Sequence, residues 1–197
     1  MHLIITSANI DEHFEHRRSQ YIESINTAVK YAYSCLSITV LECFASKVPY
    51  LEDFNVVYSP VANVFPEKGL NELQHLKSFL LRSPISNDEF IVKLTGRYLL
   101  EDSTFFHKVL ILKDQYNCII KNDKDIYEGR GCHTFLFAAK KGLLLDAIES
   151  FDFSSSSVDP IEWGIKAFLE KRQDVYYMER LGVRAFQGTS GANIFSS

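Results

Sequence analysis

The sequence predicts a single α/β domain with an open mixed sheet, mostly parallel, that is flanked by helices. The chain has 197 residues, a length that suits one domain with a sizeable core. Its N-terminal part reads as a strand, an amphipathic helix and a second strand, which is a βαβ unit with a parallel strand pair. A further helix and strand follow the same order, and this alternation is typical of an open parallel sheet.

The first unit lies within the first 44 residues. Residues 3–6 are an apolar run that ends in small polar residues, as expected of a buried strand that leads into a loop. In residues 14–33 the apolar side chains recur every three and four positions, which predicts an amphipathic helix. Residues 37–44 are apolar and β-branched without a helical stripe, and they predict the second strand.

The second unit lies between residues 55 and 100. Residues 55–58 predict a short strand, and residues 70–82 predict a helix that stops before Ser83 and Pro84. Residues 89–94 predict a strand that enters a Thr-Gly-Arg turn. Because this strand follows a helix, we expect it to lie parallel to the first strand.

The pattern beyond residue 100 is less regular. It predicts a helix at 103–110, strands at 118–120 and 134–138, a helix at 143–150 and a last helix that runs to about residue 172. The last helix is expected to begin with Asp159 as N-cap and Pro160 as its first residue. The C-terminal stretch GTSGANIFSS is small and polar, and we expect it to be mobile.

The composition argues against several classes of protein. Lys and Arg number 21 against 25 Asp and Glu, so no basic field is available for nucleic acid. The spacing of the four cysteines fits neither a zinc site nor a dense disulfide framework. The sequence shows neither a signal peptide nor an apolar run that would span a membrane, and it predicts a cytoplasmic protein without a transmembrane segment.

Several strings resemble those of a known family. The segments EKGLNE and KLTGRY, together with the later HTFLFAAKK, DPIEWGI and LGVRAFQGTSG, are similar to small glycosyltransferases with the A-type (nucleotide-diphospho-sugar transferase) fold. The resemblance covers most of the chain. It implies a nucleotide-binding half over residues 1–100 and an acceptor-side half over residues 101–190. It also implies a nucleoside-diphosphate sugar as donor and a glycan or other hydroxyl compound as acceptor.

The segment KLTGRY departs from the family pattern. Many members carry an Asp-x-Asp at the end of the fourth strand for a divalent metal, whereas this chain has Lys93 and Arg97 around the turn Thr95-Gly96. Negative charge develops on the departing diphosphate, and Lys or Arg could stabilise it in place of a metal. Gly96 would permit close backbone approach. The alternative is that Lys93 and Arg97 form surface ion pairs at the strand end.

Asp123 and Asp125 form a literal Asp-x-Asp in the stretch KNDKD. Two carboxylates at this spacing could both reach a hard cation such as Mn²⁺ or Mg²⁺. The same stretch is also typical of a solvated turn between strands. Both interpretations stay open.

The end of the first strand is a second candidate for nucleotide binding. Thr6, Ser7 and Ala8 offer amides and hydroxyls that could contact the base and ribose. From the following helix, Arg18 is expected to reach back toward this edge, while Arg17 points elsewhere. The alternative is that these arginines only solubilise the helix.

Lys68 precedes Gly69 at the start of the second predicted helix. Helix N-termini carry unpaired amides and a positive dipole end, so Lys68 is a candidate phosphate contact. It could equally be an exposed lysine beside a helix cap.

Glu162 and Asp159 are the candidates for the catalytic carboxylate in the acceptor-side half. An inverting transfer needs a carboxylate base close to the acceptor hydroxyl. Asp159 could instead serve only as N-cap, and Glu162 could serve only in a capping box.

These observations favour a glycosyltransferase. An inactive module that binds a sugar nucleotide and a nucleotidyltransferase are the alternatives. The latter is disfavoured because no glycine-rich and arginine-rich phosphate loop lies near the N-terminus.

Overall fold

The computed structural model describes residues 1–9, 14–122, 131–151, 153, 160–186 and 194–196. The strands are β1 (His2–Ser7), β2 (Ser37–Glu42), β3 (Val56–Tyr58), β4 (Phe90–Thr95), β5 (Tyr98–Leu100), β6 (Cys118–Lys121), β7 (Leu136–Lys140), β8 (Val175–Met178), β9 (Val183–Phe186) and β10 (Ile194–Ser196). The α-helices are α1 (Phe14–Tyr31), α2 (Lys68–Arg82), α3 (Thr104–Leu112), α4 (Lys141–Glu149) and α5 (Ile161–Leu169).

Seven strands form one sheet in the order β3-β2-β1-β4-β7-β6-β8. The four strands from β3 to β4 are parallel, β7 runs antiparallel to both β4 and β6, and β8 is parallel to β6. This sheet confirms the predicted fold class of an open, mixed and mostly parallel sheet with flanking helices. It also continues across the boundary at residue 100, so the two predicted halves share one sheet.

The sheet is covered by helices on both faces. Alternate residues of β1 are buried on opposite faces: Leu3 and Ile5 belong to one apolar cluster, and Ile4 belongs to the other. Buried residues of α1 and α3 belong to the first cluster, and buried residues of α2, α4 and α5 belong to the second. The central strands are therefore buried on both sides, which explains their continuous apolar sequence.

A small antiparallel sheet in the order β10-β9-β5 was not predicted. Its strands have three or four residues each, too few to show a period in the sequence. Ile194–Ser196 pairs with β9, so the prediction of a mobile C-terminal stretch is wrong for these residues. Tertiary pairing rather than local propensity makes them a strand.

Two predictions about the region after residue 159 also need correction. The last helix ends at Leu169 rather than near residue 172, and β8 follows it without having been predicted. Pro160 occupies the N-cap position that was assigned to Asp159, which lies outside the described residues. The described helices include none that is long and apolar enough to cross a membrane.

Candidate functional site

The sheet has a reversal of strand order between β1 and β4. The chain passes from β1 to β2 and β3 on one side and then crosses through α2 to β4 on the other side of β1. In open α/β sheets, ligands bind at the carboxyl ends of the strands where the order reverses. At this edge, Thr6 of β1 is in register with Thr95 of β4.

The two segments predicted to share this edge are in contact. The Gly96 amide donates a hydrogen bond of 2.8 Å to the carbonyl of Thr6. A Cβ on residue 96 would lie 2.7 Å from that carbonyl oxygen and 2.8 Å from the ring of Tyr21. Glycine is therefore needed at position 96 because the protein's own backbone and the Tyr21 ring approach it closely. From the sequence, the close approach was expected to be that of a ligand.

Lys93 lies under this edge and is only 2% exposed. Its Nζ contacts the Thr95 hydroxyl at 2.6 Å, the Thr134 carbonyl at 2.9 Å and Oε1 of Glu72 at 3.0 Å. An ammonium group has three protons, and these three oxygens take all of them. Lys93 therefore supports the edge from inside the protein.

Glu72 of α2 is the negative partner in this cluster. Its Oε1 accepts hydrogen bonds from the hydroxyls of Thr6 and Thr95 and pairs with Lys93. Burial alone would raise the pKa of Glu72, but the charge of Lys93 and these hydrogen bonds outweigh burial and hold the pKa below its ordinary value. Glu72 is thus an ionised carboxylate at the point where the strand order reverses.

Glu72 was not among the predicted functional residues. One signal was available: Glu72 precedes His75 by three residues and Leu76 by four, and both of those residues are fully buried. A carboxylate at this spacing lies beside the buried stripe of its helix. That spacing alone does not reveal its partners on β1 and β4.

Glu162 is joined to the same cluster through one residue. The Thr134 hydroxyl donates to Oε1 of Glu162 at 2.9 Å, while the Thr134 carbonyl accepts from Lys93. Among the described residues, the Glu162 carboxylate contacts Thr134 rather than a helix-capping amide. The structure thus places Glu162 beside the edge that Lys93 and Glu72 support.

Glu42, at the end of β2, is a fully buried carboxylate that was also not predicted as a functional residue. It accepts from the Ser7 hydroxyl and the Asn9 side-chain amide, both at 2.6 Å, and from three backbone amides at 3.0 Å. Those amides belong to Asn9, Phe44 and Ala45. Glu42 therefore fixes the loops that leave β1 and β2, and the Ser7 hydroxyl is directed toward it.

Of the two neighbouring arginines in α1, Arg17 makes the described hydrogen bond to the residue that follows β1. Arg17 is buried and donates from Nη1 to the Ala8 carbonyl at 2.9 Å, although it was expected to point elsewhere. Arg18 is exposed, with its guanidinium carbon 5.8 Å from the centre of the Tyr50 ring. The cause is the approach of the loop after β1 to this helix, which also brings the Tyr21 hydroxyl to Ala8.

The remaining predicted site residues are placed as follows. Arg97 is partly buried in the turn after β4, beside Gly96. Lys68 is exposed as the first residue of α2, next to the N-cap Glu67, which accepts from the Leu70 amide. The other three candidates, Asp123, Asp125 and Asp159, lie outside the described residues.

His75 anchors the loop after β3 to α2 and is fully buried. Its Nδ1 lies 2.6 Å from the Ser59 hydroxyl and its Nε2 lies 3.0 Å from Oδ1 of Asn63. Because an amide oxygen can only accept, Nε2 carries the proton and Nδ1 accepts from Ser59. Burial lowers the pKa of His75, and the ring is therefore neutral.

This lowered pKa predicts a loss of stability in mild acid. The unfolded chain takes up a proton near pH 6.5 more readily than the folded chain does, so protonation of His75 favours unfolding. The stabilisation is complete above about pH 6.5 and is lost as pH falls through the folded pKa, by at most about 1.4 kcal/mol per pH unit. Urea unfolding between pH 7.5 and 5.5 should show a flatter pH dependence for His75→Gln. An identical slope in both proteins would contradict this assignment.

The carboxyl end of β4 carries Lys93 and Arg97 where many members of the resembled family carry an Asp-x-Asp. The Lys93 ammonium is paired with the Glu72 carboxylate there, and a cation would meet that positive charge. Within the described ranges, the side chains of His, Cys, Asp and Glu form no group of three that could hold a metal ion.

Comparison with known proteins supports the fold. No family model and no curated protein matches the sequence. Among solved structures, 4-diphosphocytidyl-2C-methyl-D-erythritol synthase from Anaerococcus prevotii is similar, with a TM-score of 0.61, 15% identity and coverage of 90% of this chain and 85% of that one. A protein assigned as a glucose-1-phosphate thymidylyltransferase from Bacillus anthracis, in complex with sucrose, has a TM-score of 0.61, 9% identity and coverages of 94% and 89%.

A third similar structure is a protein from Desulfovibrio desulfuricans assigned as a nucleotide-diphospho-sugar transferase. Its TM-score is 0.59 and its identity is 10%, over 90% of this chain and 78% of that one. At identities of 9 to 15%, the likeness establishes the fold alone. The chain therefore has the nucleotide-diphospho-sugar transferase fold, as its resemblance to the A-type glycosyltransferases implied.

Proposed function

We propose that this protein is a glycosyltransferase that moves a sugar from a nucleoside-diphosphate sugar to a hydroxyl group of a glycan or another acceptor. The observation that carries the proposal is the carboxyl edge of β1 and β4, where the Gly96 amide meets the Thr6 carbonyl at the reversal of strand order. This edge lies within a fold whose solved examples include proteins assigned to nucleotide-sugar chemistry.

Arg97 is the residue we assign to the donor diphosphate. Lys93 is buried with all its protons engaged, whereas Arg97 lies one residue beyond Gly96 in the turn at the edge. A guanidinium can bind phosphate oxygens through two parallel hydrogen bonds and stabilise the charge that develops on the leaving group. In this proposal the donor binds without a divalent cation.

Glu162 is the carboxylate we assign to the acceptor. In a direct displacement, the carboxylate takes the proton of the acceptor hydroxyl as the acceptor oxygen attacks the anomeric carbon. The bond from that carbon to the diphosphate breaks, and the nucleoside diphosphate leaves with the electron pair. Oε1 of Glu162 is held by the Thr134 hydroxyl, and Oε2 has no partner among the described residues.

A donor screen tests this function. Melting temperatures are measured with UDP-, GDP- and dTDP-sugars and with a CMP-sugar as a monophosphate comparison, each with Mn²⁺ and with EDTA. A ligand that binds only the folded state raises the melting temperature by mass action. We expect the sugars of one nucleotide class to raise the melting temperature by the same amount in EDTA as in Mn²⁺. The absence of a shift with every donor would overturn the proposed function, and a shift only with Mn²⁺ would overturn the cation-independent form of it.

Arg97→Ala is expected to weaken donor binding by about 1.5 to 3 kcal/mol, because it removes a charge-assisted contact to phosphate. Arg97→Lys should recover only part of the loss, since an ammonium cannot form the paired contact. Calorimetric titration of the donor measures both. Arg82→Ala, on the exposed end of α2, is the matched control. Unchanged donor affinity in a folded Arg97→Ala variant would indicate that Arg97 forms a structural ion pair and does not bind the donor.

A nucleotidyltransferase is the second candidate, because two of the similar structures are assigned to cytidylyl or thymidylyl chemistry. Against it, residues 8–13 between β1 and α1 contain no Gly, Lys or Arg and include Asp11 and Glu12. A segment of this composition offers no cation for a triphosphate. Release of pyrophosphate from a nucleoside triphosphate and a sugar 1-phosphate would favour this candidate, whereas donor binding without any turnover would indicate an inactive binding module.

A further inference from the structure

We propose that Glu72 is a specificity-determining residue that accepts, through Oε2, a hydrogen bond from a hydroxyl group of the sugar-nucleotide donor. Glu72 is on α2, the helix that crosses from β3 to β4, and its carboxylate lies where β1 and β4 diverge. The inference rests on the proposed function, because it names the group that reads the donor at the same edge.

The two carboxylate oxygens of Glu72 have different surroundings. Oε1 takes all three of the side chain's described contacts, from Thr6, Thr95 and Lys93. Oε2 has no partner among the described residues, and the Glu72 side chain is 21% exposed. A carboxylate oxygen is a hydrogen-bond acceptor, so one without a described partner at a ligand-binding edge is an acceptor that a hydroxyl donor would satisfy.

The direction of Oε2 is fixed by the partners of Oε1. Thr6 approaches from β1, while Lys93 and Thr95 approach from β4, so both strands that form the edge hold the same oxygen. Lys93 is in turn held by the Thr134 carbonyl at 2.9 Å. Lys93 is thus the positioning residue, and it presents an acceptor whose orientation is set before the donor binds.

The same contacts distinguish hydrogen-bond acceptance from proton transfer. The charge of Lys93 and the hydrogen bonds to Oε1 lower the pKa of Glu72 despite its burial, so the group stays ionised at neutral pH. A carboxylate stabilised in this way is a weak base but a strong acceptor of hydrogen bonds from neutral hydroxyls. Glu72 is therefore assigned to donor recognition, and the acceptor-side carboxylate remains Glu162.

A sugar-nucleotide donor has hydroxyl groups in two places, on the ribose and on the transferred sugar. Both present the same chemistry to Oε2. The experiment therefore uses the full donor, the nucleoside diphosphate, the 2′-deoxynucleoside diphosphate and inorganic pyrophosphate, which has no carbon-bound hydroxyl.

Glu72→Gln is the informative change because its amide oxygen can keep the position of Oε1 while its NH₂ group replaces Oε2. An acceptor thus becomes a donor at the open position. Calorimetry should show the full donor bound about 10- to 100-fold more weakly, as expected for the loss of a hydrogen bond to a charged group. Pyrophosphate affinity should not fall, because the change removes a negative charge.

The pattern of losses identifies the hydroxyl. Weaker binding of both the full donor and the nucleoside diphosphate assigns Oε2 to the ribose: to its 2′-hydroxyl where the 2′-deoxy compound loses little affinity, and to its 3′-hydroxyl where that compound loses as much. Weaker binding of the full donor alone assigns Oε2 to the transferred sugar. Glu149→Gln, which removes the negative partner of Lys77 on the surface of α4, should leave all four affinities unchanged.

Glu72→Gln leaves the buried Lys93 ammonium without its counter-charge. The same titrations are therefore also made on the double variant that combines Glu72→Gln with Lys93→Met. Donor affinity equal to wild type in either folded variant overturns the inference and leaves the proposed function standing. An equal loss for pyrophosphate also overturns it, because the effect would then act on phosphate. Failure of the wild-type protein to bind any donor overturns the proposed function and this inference together.

Discussion

Glu162→Gln is expected to lower the rate of sugar transfer by about 10²- to 10⁴-fold while donor affinity stays unchanged, because a general base acts on the transition state rather than on the bound donor. The amide oxygen of glutamine can still accept the hydrogen bond that the Thr134 hydroxyl donates to Oε1 of Glu162 at 2.9 Å. The fold should therefore survive, and the loss should appear in kcat. Transfer rate and melting temperature are measured with the donor that the screen identifies.

The matched control is Glu170→Gln, since Glu170 is an exposed carboxylate just beyond the end of the same helix. It should retain wild-type turnover. Asp159→Asn is tested in parallel, because Asp159 is the second candidate for the base. Wild-type turnover in Glu162→Gln would eliminate Glu162 as the base. If Asp159→Asn were silent as well, Asp123 and Asp125 would be the next carboxylates to replace.

Lys93→Met is expected to destabilise the protein by about 3 kcal/mol, because it leaves the Glu72 carboxylate largely buried without its positive partner. Methionine is close in length to the lysine stem but offers no proton to the Thr134 carbonyl or the Thr95 hydroxyl. The expected value is at the low end for such a change because water reaches part of Glu72. Urea unfolding at neutral pH measures it.

Two comparisons separate this effect from the loss of a surface charge. Lys77→Met breaks the pair with the exposed Glu149, in which Nζ and Oε1 lie 3.2 Å apart, and should cost less than about 1 kcal/mol. Replacing both members of the buried pair, by Lys93→Met with Glu72→Gln, should restore much of the lost stability because no charge is then left unpaired. A cost below about 1 kcal/mol for Lys93→Met alone would show that the pair is solvated.

The part of the candidate site that could be predicted is that the carboxyl ends of β1 and β4 lie side by side. The apolar run before Thr6 and the strand before Thr95 each follow from local pattern, and the intervening helices imply parallel pairing. Parallel strands bring their carboxyl ends to one edge, and the structure shows this contact between Thr6 and Gly96. Helix and strand limits differ from those predicted by only a few residues in this part.

The partners of the charged residues were not predictable in the same way. Lys93 and Arg97 look alike in the sequence as cations around a Thr-Gly turn, yet one is buried against Glu72 while the other is in the turn at the edge. The strand places Lys93 on the face that α2 covers, and nothing local to Lys93 names the residue of α2 that will meet it. Arg17 and Arg18 differ for the same reason, because contact with Ala8 depends on where the loop after β1 crosses the helix.

By itself, the sequence determined the class of the fold, the parallel βαβ start and the edge at which β1 and β4 end, because these depend on hydrophobic period and on the handedness of short connections. The tertiary structure decided which carboxylates lie at that edge and what they contact. Glu72 forms an ion pair with Lys93, Glu162 accepts a hydrogen bond from Thr134, and Glu42 accepts one from Ser7. The partners in these pairs are 21, 28 and 35 residues apart in the chain. Buried charges find partners through the packing of whole helices and strands, and local sequence does not encode that packing.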